Sequence, residues 1–483
     1  WWSDNWNPLD YGKDFDFNRG FFEQFGELMR DVPQIALLNS NRENTYYANF
    51  TYSNKNCYLC FAGMYDENCC YSKDIFNSNE CVDCFYIHKS QYCYECIDCI
   101  ECYEILFSKD CISCGNGYFL NDCENCKNCF GCVGLKNKDY HFFNVKYSPR
   151  EYKERLKDIF KSKSIKEISL IFNDFILKFP IRINQNKNTI NCYGDYILNS
   201  KDCYNCFEGE NIENSKFIYN AYDSKNCYDT NNVDSNSELI YEGFSMAGFN
   251  LSFSMITWFC EKCYYSLNIH NSKNCFGCIG LRNKSYCILN KQYTKQQYEE
   301  LVPKIIEYMM KPHPNPLLTG EGKNTEVSEW GEFFPSSISP FGYNETVAQE
   351  YFPISRDKAL SCLYKWSDYE PPFPKVDKII PANKLPENIS DIPDDILNRA
   401  IECEITKKPF RIIKQELEFY RKHNLPIPKR HPDQRHLDRM SLRNPRKLFD
   451  RKCDKCGKEI KTTYSPDRKE IVYCEECYNK EIY

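Results

Sequence analysis

The sequence predicts a mainly β fold: two tandem narrow parallel β-solenoids of about 12 residues per coil with capping helices, then a small C-terminal ribbon. Three observations predict it. Cysteines recur at every third position, a second block copies the first 146 residues later, and paired CxxC motifs close the chain.

Sixteen of the 31 cysteines lie between Cys57 and Cys132, and all but Cys70 stand at multiples of three. Most other positions of that phase are small or aliphatic, such as Gly63, Ser72, Ile75, Ser90 and Leu120, with Asp66 and Lys138 as exceptions. Bulky Tyr and Phe and most charges occupy the other two phases. A period of three is neither the two of a strand nor the 3.6 of a helix. The stronger repeat is twelve: Cys57, Cys69, Cys81 and Cys93 form one column, and Cys60, Ser72, Cys84 and Cys96 the next. Four inward positions per repeat describe a coil so narrow that only thin side chains fit, stacked about 4.8 Å apart.

The second block follows the same rule from Cys203 to Cys287, with Leu239, Ser245 and Leu251 expected inward and Glu242 as an exception. NCFGCVGLKNKDY from Asn128 matches NCFGCIGLRNKSY from Asn274. Seven coils are expected in each copy, from Cys57 to Tyr140 and from Cys203 to Tyr286. The arrangement resembles the twelve-residue β-helices of insect antifreeze proteins in architecture only, because their outward Thr-x-Thr array is absent.

Residues 45–165 and 166–310 are thus two solenoids, closed by the helical segments SPREYKERLKDIF, N-capped by Ser148, and TKQQYEELVPKIIEYMM, N-capped by Thr294. The aromatic-rich residues 1–44 are expected to pack on the first coil. The Trp-Trp start, in place of Met, reads as a fragment or processed product. Residues 311–400 hold 12 of the 23 prolines and read as an extended connector. Within the blocks the thiols read first as buried free cysteines acting as small hydrophobes; disulfides and metal binding are the alternatives.

The remaining segment, 401–483, has a different chemistry. Cys453 and Cys456, then Cys474 and Cys477, have the spacing of a structural zinc ribbon, with Gly457 supplying a tight turn. TTYSPDRKEIVY between the pairs reads as a hairpin turning near Ser465. Upstream, CEITKKPFRI resembles a worn copy of the first knuckle, leaving Cys403 and His431 as a weak second metal site. Between Ile405 and Lys461, 18 Lys or Arg face 7 Asp or Glu, so the rest of the chain carries about −17 against a total of −6. This split predicts a basic tail contacting RNA, DNA or a ribosome through Arg435, Arg439, Arg443, Arg446, Lys447, Arg451 and Lys452. The solenoid faces are expected to meet protein partners.

WWSDNWNPLDYGKDFDFNRGFFEQF, the NCFGCxGLxNKxY blocks and RNPRKLFDRKCDKCGKEI together resemble an uncharacterised family of cysteine-rich proteins from candidate-phyla-radiation bacteria. That resemblance implies the repeat-plus-ribbon architecture and a further ribbon segment before WWSD. It implies no activity. Thr406, His431 and Gln434 stand where full CxxC pairs are expected.

No Gly-rich phosphate loop, nucleophile elbow or HExxH is present, and no run approaches about 18 apolar residues. The expectation is a non-enzymatic, non-membrane, cytoplasmic interaction scaffold with structural zinc. A thiol-rich metal-handling or redox protein and an exported structural protein with disulfide ladders are the alternatives.

Overall fold

In the computed structural model, which describes residues 3, 5–234, 236–314, 326–376 and 378–482, the chain is mainly β with several parallel sheets. Trp1, Trp2 and Asp4 of the opening motif and residues 315–325 of the connector fall outside the described residues.

The backbone explains the three-residue period. From Asn41 to Phe143 every third residue is left-handed, with φ between +45° and +65°. Each such residue turns the chain and sends the next side chain inward. Asn and Asp tolerate this conformation, and Asn56, Asn68, Asn125 and Asn128 occupy it. Tyr47, Phe50 and Glu80 occupy it too, at a cost of about 1–2 kcal/mol each by the usual handedness penalty. Stacking of neighbouring repeats holds them there. Parallel bridges link residues twelve apart, as in Glu43–Lys55–Glu67–Asn79 and Tyr46–Tyr58–Cys70–Val82.

The inward cysteines Cys57, Cys69, Cys81 and Cys93 are fully buried, and all 31 cysteines are free. Their thiols donate to backbone carbonyls: Cys57 Sγ reaches the Lys55 oxygen at 3.3 Å and the Asp66 oxygen at 3.5 Å. A thiol therefore fills the narrow interior and also meets a polar group there.

Pairing begins earlier than the cysteines suggested, at Asn39 in the first block and Lys187 in the second. The second block also departs from strict phase. Cys192 pairs with Cys203, eleven residues on, and Ser224 to Val233 pair with Ser237 to Met246, thirteen residues on. The inward residues there are Ser237, Ile240 and Met246, whereas Leu239, Glu242 and Ser245 take the left-handed position and Leu239 is exposed. The expected inward phase thus slips by one residue between Val233 and Gly248, and Leu251 restores it.

Four helices flank the repeats: α1 (Phe21–Asp31), α2 (Pro149–Ser162), α3 (Ile165–Ile176) and α4 (Lys295–Met310). Ser148 and Thr294 cap α2 and α4 with full capping boxes, as the sequence predicts. Helix α3, capped by Ser164, was not anticipated; with α2 it covers Phe119, Phe130 and Val133 at the end of the first block.

The two blocks lie side by side and antiparallel. Phe50 meets Phe244, Tyr86 Oη donates to Glu208 at 2.6 Å, and Tyr196 Oη donates to Asp110 at 2.6 Å, so residue numbers rise in one block as they fall in the other. This geometry corrects the expected role of the N-terminal segment. Phe21, Phe22, Phe25 and Leu28 of α1 pack with Tyr265, Phe276, Ile288 and Ile305, closing the end of the second block rather than the first coil. Asn290 Nδ2 donates to the Pro8 carbonyl, and the Glu329 carboxylate accepts from the N–H groups of Phe21 and Phe22.

The connector does not stay extended to residue 400. Ile379–Pro381 pairs with Ala400–Glu402, and Ile389, Ile396, Ile401, Phe410, Leu417 and Tyr420 form one cluster against Tyr71, Val82, Tyr94 and Leu106 of the first block.

Candidate metal centre and the basic tail

Antiparallel strands Phe449–Lys452 and Glu459–Thr462 flank the first knuckle, and Gly457 at its tip has φ +74°. Cys453 N–H donates to the Lys458 carbonyl at 2.8 Å, and Gly457 N–H donates to the Cys453 carbonyl at 2.9 Å. The second pair sits where strand Ile471–Tyr473 runs into the helix Glu475–Ile482. That strand pairs in parallel with Pro180–Arg182, so the expected hairpin between the CxxC pairs is replaced by a contact with the linker between the two blocks. The reason lies in the open edge of Pro180–Arg182, which offers the tail its backbone partners.

One ligand atom from each of Cys453, Cys456, Cys474 and Cys477 lies within 4.8 Å of every other, so this group could hold a metal ion. Tetrahedral coordination with metal–sulfur bonds of about 2.3 Å needs sulfurs about 3.8 Å apart. Cys456 Sγ and Cys474 Sγ are 3.8 Å apart. The knuckle is also prepared for a thiolate. Burial opposes ionisation of Cys453, but backbone N–H groups of Cys474, Cys456 and Lys455 outweigh it and bring the thiol down to about 6. Cys474 N–H reaches Cys453 Sγ at 3.2 Å.

The worn copy keeps the fold of this knuckle without its ligands. Cys403 N–H donates to the Lys408 carbonyl at 3.1 Å, Lys407 takes the left-handed position of Gly457, and Ile401 pairs with Phe410 across a hairpin. Burial raises the Cys403 thiol, yet the Thr406 hydroxyl and the N–H groups of His431, Thr406 and Ile405 bring it below its ordinary value. His431 Nδ1 accepts from Asp433 N–H as a helix cap, and Gln434 Nε2 donates to Asp438. Cys403 and His431 are therefore not joined by further ligands. Among the described residues, the C-terminal four are the group of His, Cys, Asp or Glu that converges as a metal site.

The arginines expected to face phosphate are mostly buried. Arg435 and Arg439 are 4% and 1% exposed, and both pair with Asp83, which is fully buried. Arg435 also pairs with Glu416, and its guanidinium lies over the Tyr71 ring. Arg443 bridges the blocks, bonding Asp98 at 3.0 Å on one side and Glu208 at 2.6 Å on the other, and Arg446 joins it on Glu208. Burial alone would raise the Glu208 carboxyl, but Arg443 and Arg446 outweigh it and hold it at about 2. Arg451 donates to the Glu470 and Ser465 carbonyls and pairs with Asp454. Of the expected phosphate-facing set, Lys447 and Lys452 remain exposed. The physical reason is mutual: the acidic repeats supply desolvated carboxylates that need cations, and the tail supplies them.

Sequence reasoning missed these acidic partners. Asp98, Asp110 and Asp122 stand twelve apart, one per repeat, on the wall of a cavity of ≈ 200 Å³ between the blocks. Arg443 bonds Asp98, the Tyr196 hydroxyl bonds Asp110 and the Tyr478 hydroxyl bonds Asp122. Burial, more than any neighbour, pushes the Asp110 carboxyl up to about 7. The twelve-residue spacing was the available signal.

No protein-family model and no curated protein matches the chain. A solved structure from Desulfovibrio desulfuricans, provisionally assigned as an acetyltransferase, aligns at TM-score 0.12 and 8% identity over 55% of this chain and 75% of that one. At that score the likeness carries no argument.

Proposed function

We propose that the protein is a non-enzymatic interaction scaffold: two narrow β-solenoids of twelve residues per coil, folded back on each other and clamped by a zinc-ribbon tail. The observation that carries this reading is Arg443, which bonds Asp98 of one block and Glu208 of the other. The cationic tail neutralises carboxylates that the repeats bury. Its ribbon adds a strand to Pro180–Arg182, directly before the second block. Zinc suits four thiolates better than other common ions, and with all four positions supplied by protein its contribution is structural. Cys453, Cys456, Cys474 and Cys477 would hold it. The other buried thiols serve as core filling.

Zinc content and a thiol count on anaerobically purified protein test this. We expect one zinc per chain and few reactive thiols until denaturation releases them. Several metal ions per chain would favour metal handling, and few thiols even after denaturation would favour an exported, disulfide-linked protein. Either result overturns the proposal.

A further inference from the structure

With four of its arginines buried, the tail presents its cations elsewhere, beside an aromatic strip on the second block. Tyr193, Tyr204 and Phe217 are 49%, 42% and 42% exposed, and their successive ring centroids are 6.0 Å apart. Tyr193 and Tyr204 face each other across adjacent parallel segments, so the strip follows the stacking direction of the repeats. The ribbon hairpin meets this strip at its start, where Tyr193, Arg451, Lys452, Ile460 and Lys461 line one groove together with Asp450 and Glu459. Lys201 and Lys216 are exposed alongside. Lys452 forms no ion pair among the described residues, and Lys461 is shared with Asp450, itself largely exposed.

Several other outward aromatics are already used, whereas Tyr47, Tyr65 and Phe259 stay exposed without the ribbon's lysines in their groove. Tyr71 and Tyr94 lie under the tail, Tyr86 lies in the seam, and Tyr265 is covered by α1. The strip from Tyr193 to Phe217 has half-exposed rings in series, tilted by 57° and then edge-to-face at 83°, with lysines along its edge. Rings in series offer π faces to successive bases, and flanking lysines suit a phosphate backbone. A duplex hides its base faces, and a neutral polysaccharide has no use for the lysines.

We propose that this strip binds single-stranded nucleic acid, bases on Tyr193, Tyr204 and Phe217 and phosphates on Lys452, Lys461, Lys201 and Lys216. The site rests on the clamp reading, because the clamp holds the ribbon hairpin beside Tyr193.

The test uses the full zinc-loaded chain and fluorescein-labelled 12-mers of uridylate and thymidylate, read by anisotropy. Binding should weaken roughly 20- to 50-fold between 50 and 200 mM KCl, as about three to four phosphate contacts on a single strand require. Tyr204→Ala should weaken it roughly 5- to 100-fold, the usual loss for one stacked base. Lys452→Glu with Lys461→Glu should weaken it further, while Tyr65→Ala, an exposed ring on the first block, should leave it unchanged. Should Tyr204→Ala fold poorly, Phe217→Ala carries the same expectation. Preference for one 12-mer assigns RNA or DNA. No binding at 50 mM KCl, full affinity in both aromatic variants, or tighter binding of a neutral hexasaccharide overturns the proposal. Zinc content distinguishes this failure from failure of the clamp, because a lost ribbon would lower it and a lost ligand site would not.

Discussion

Asp66 occupies an inward position of a phase that is mostly Cys, Ser or small and aliphatic residues, and it is 1% exposed. Its Oδ1 accepts from Ser78 N–H at 3.0 Å, while Oδ2 and the nearby Asn54 Nδ2 lack partners. Burial raises its carboxyl to about 9, so the folded state favours the neutral acid at pH 7. Folding stability from this group is full below the unfolded value of about 4 and is lost as pH rises towards 9. Asp66→Asn keeps the shape without the charge. It should raise stability at pH 8 by roughly 1–3 kcal/mol, with no difference from wild type near pH 4, as read by urea midpoints at both pH values. A variant less stable at pH 8 would show that the ionised form is accommodated. The exception at Asp66 was visible in the sequence as a break in phase, but its consequence was not, since depth decides the cost of a charge.

At the level of elements, the three-residue period was legible because it is local. One left-handed residue in three sends the following side chain inward, and the sequence reports that directly through Cys, Ser and Ile. The slips were not legible. Gly248 shows why one is tolerated: its φ is +145°, and a Cβ there would stand 2.1 Å from the Cys260 carbonyl oxygen. Gly248→Ala must therefore push one repeat off the next and should cost more than about 2 kcal/mol, within the range for overpacking. Thermal unfolding of the full chain measures it, and a cost below 0.5 kcal/mol would mean that the slipped repeat relaxes freely. Helix caps were equally local: Ser148 with Glu151 and Thr294 with Gln297 announce themselves at fixed spacing. Helix α3 has the same signature at Ser164 and Glu167, and was overlooked because it falls at the expected boundary between blocks.

The whole molecule is joined by charges that are distant in sequence. Glu208 meets Arg443, Arg446 and Tyr86, so Glu208→Gln leaves two buried guanidinium groups short of a partner. The expected loss is about 3–5 kcal/mol, as for breaking one side of a buried pair. Because its folded carboxyl is held at about 2, below the unfolded value of about 4.5, its stabilisation is present above pH 4.5 and fades as pH falls towards 2. The gap between wild type and Glu208→Gln in denaturant midpoint should accordingly narrow below pH 4; a gap independent of pH would remove the ionic explanation. The sequence by itself determined the repeat, its thin interior, the caps on α2 and α4 and the four-cysteine knuckles, since each is a short-range spacing that local sterics or ligand geometry enforces. It also showed that the tail and body carry opposite charge. Only the tertiary structure decided where that charge goes. Once the blocks fold back antiparallel and the tail packs on the first block, Asp98 and Glu208 in the seam and Asp83 under the tail are desolvated, and the cations that satisfy them are the arginines of the tail.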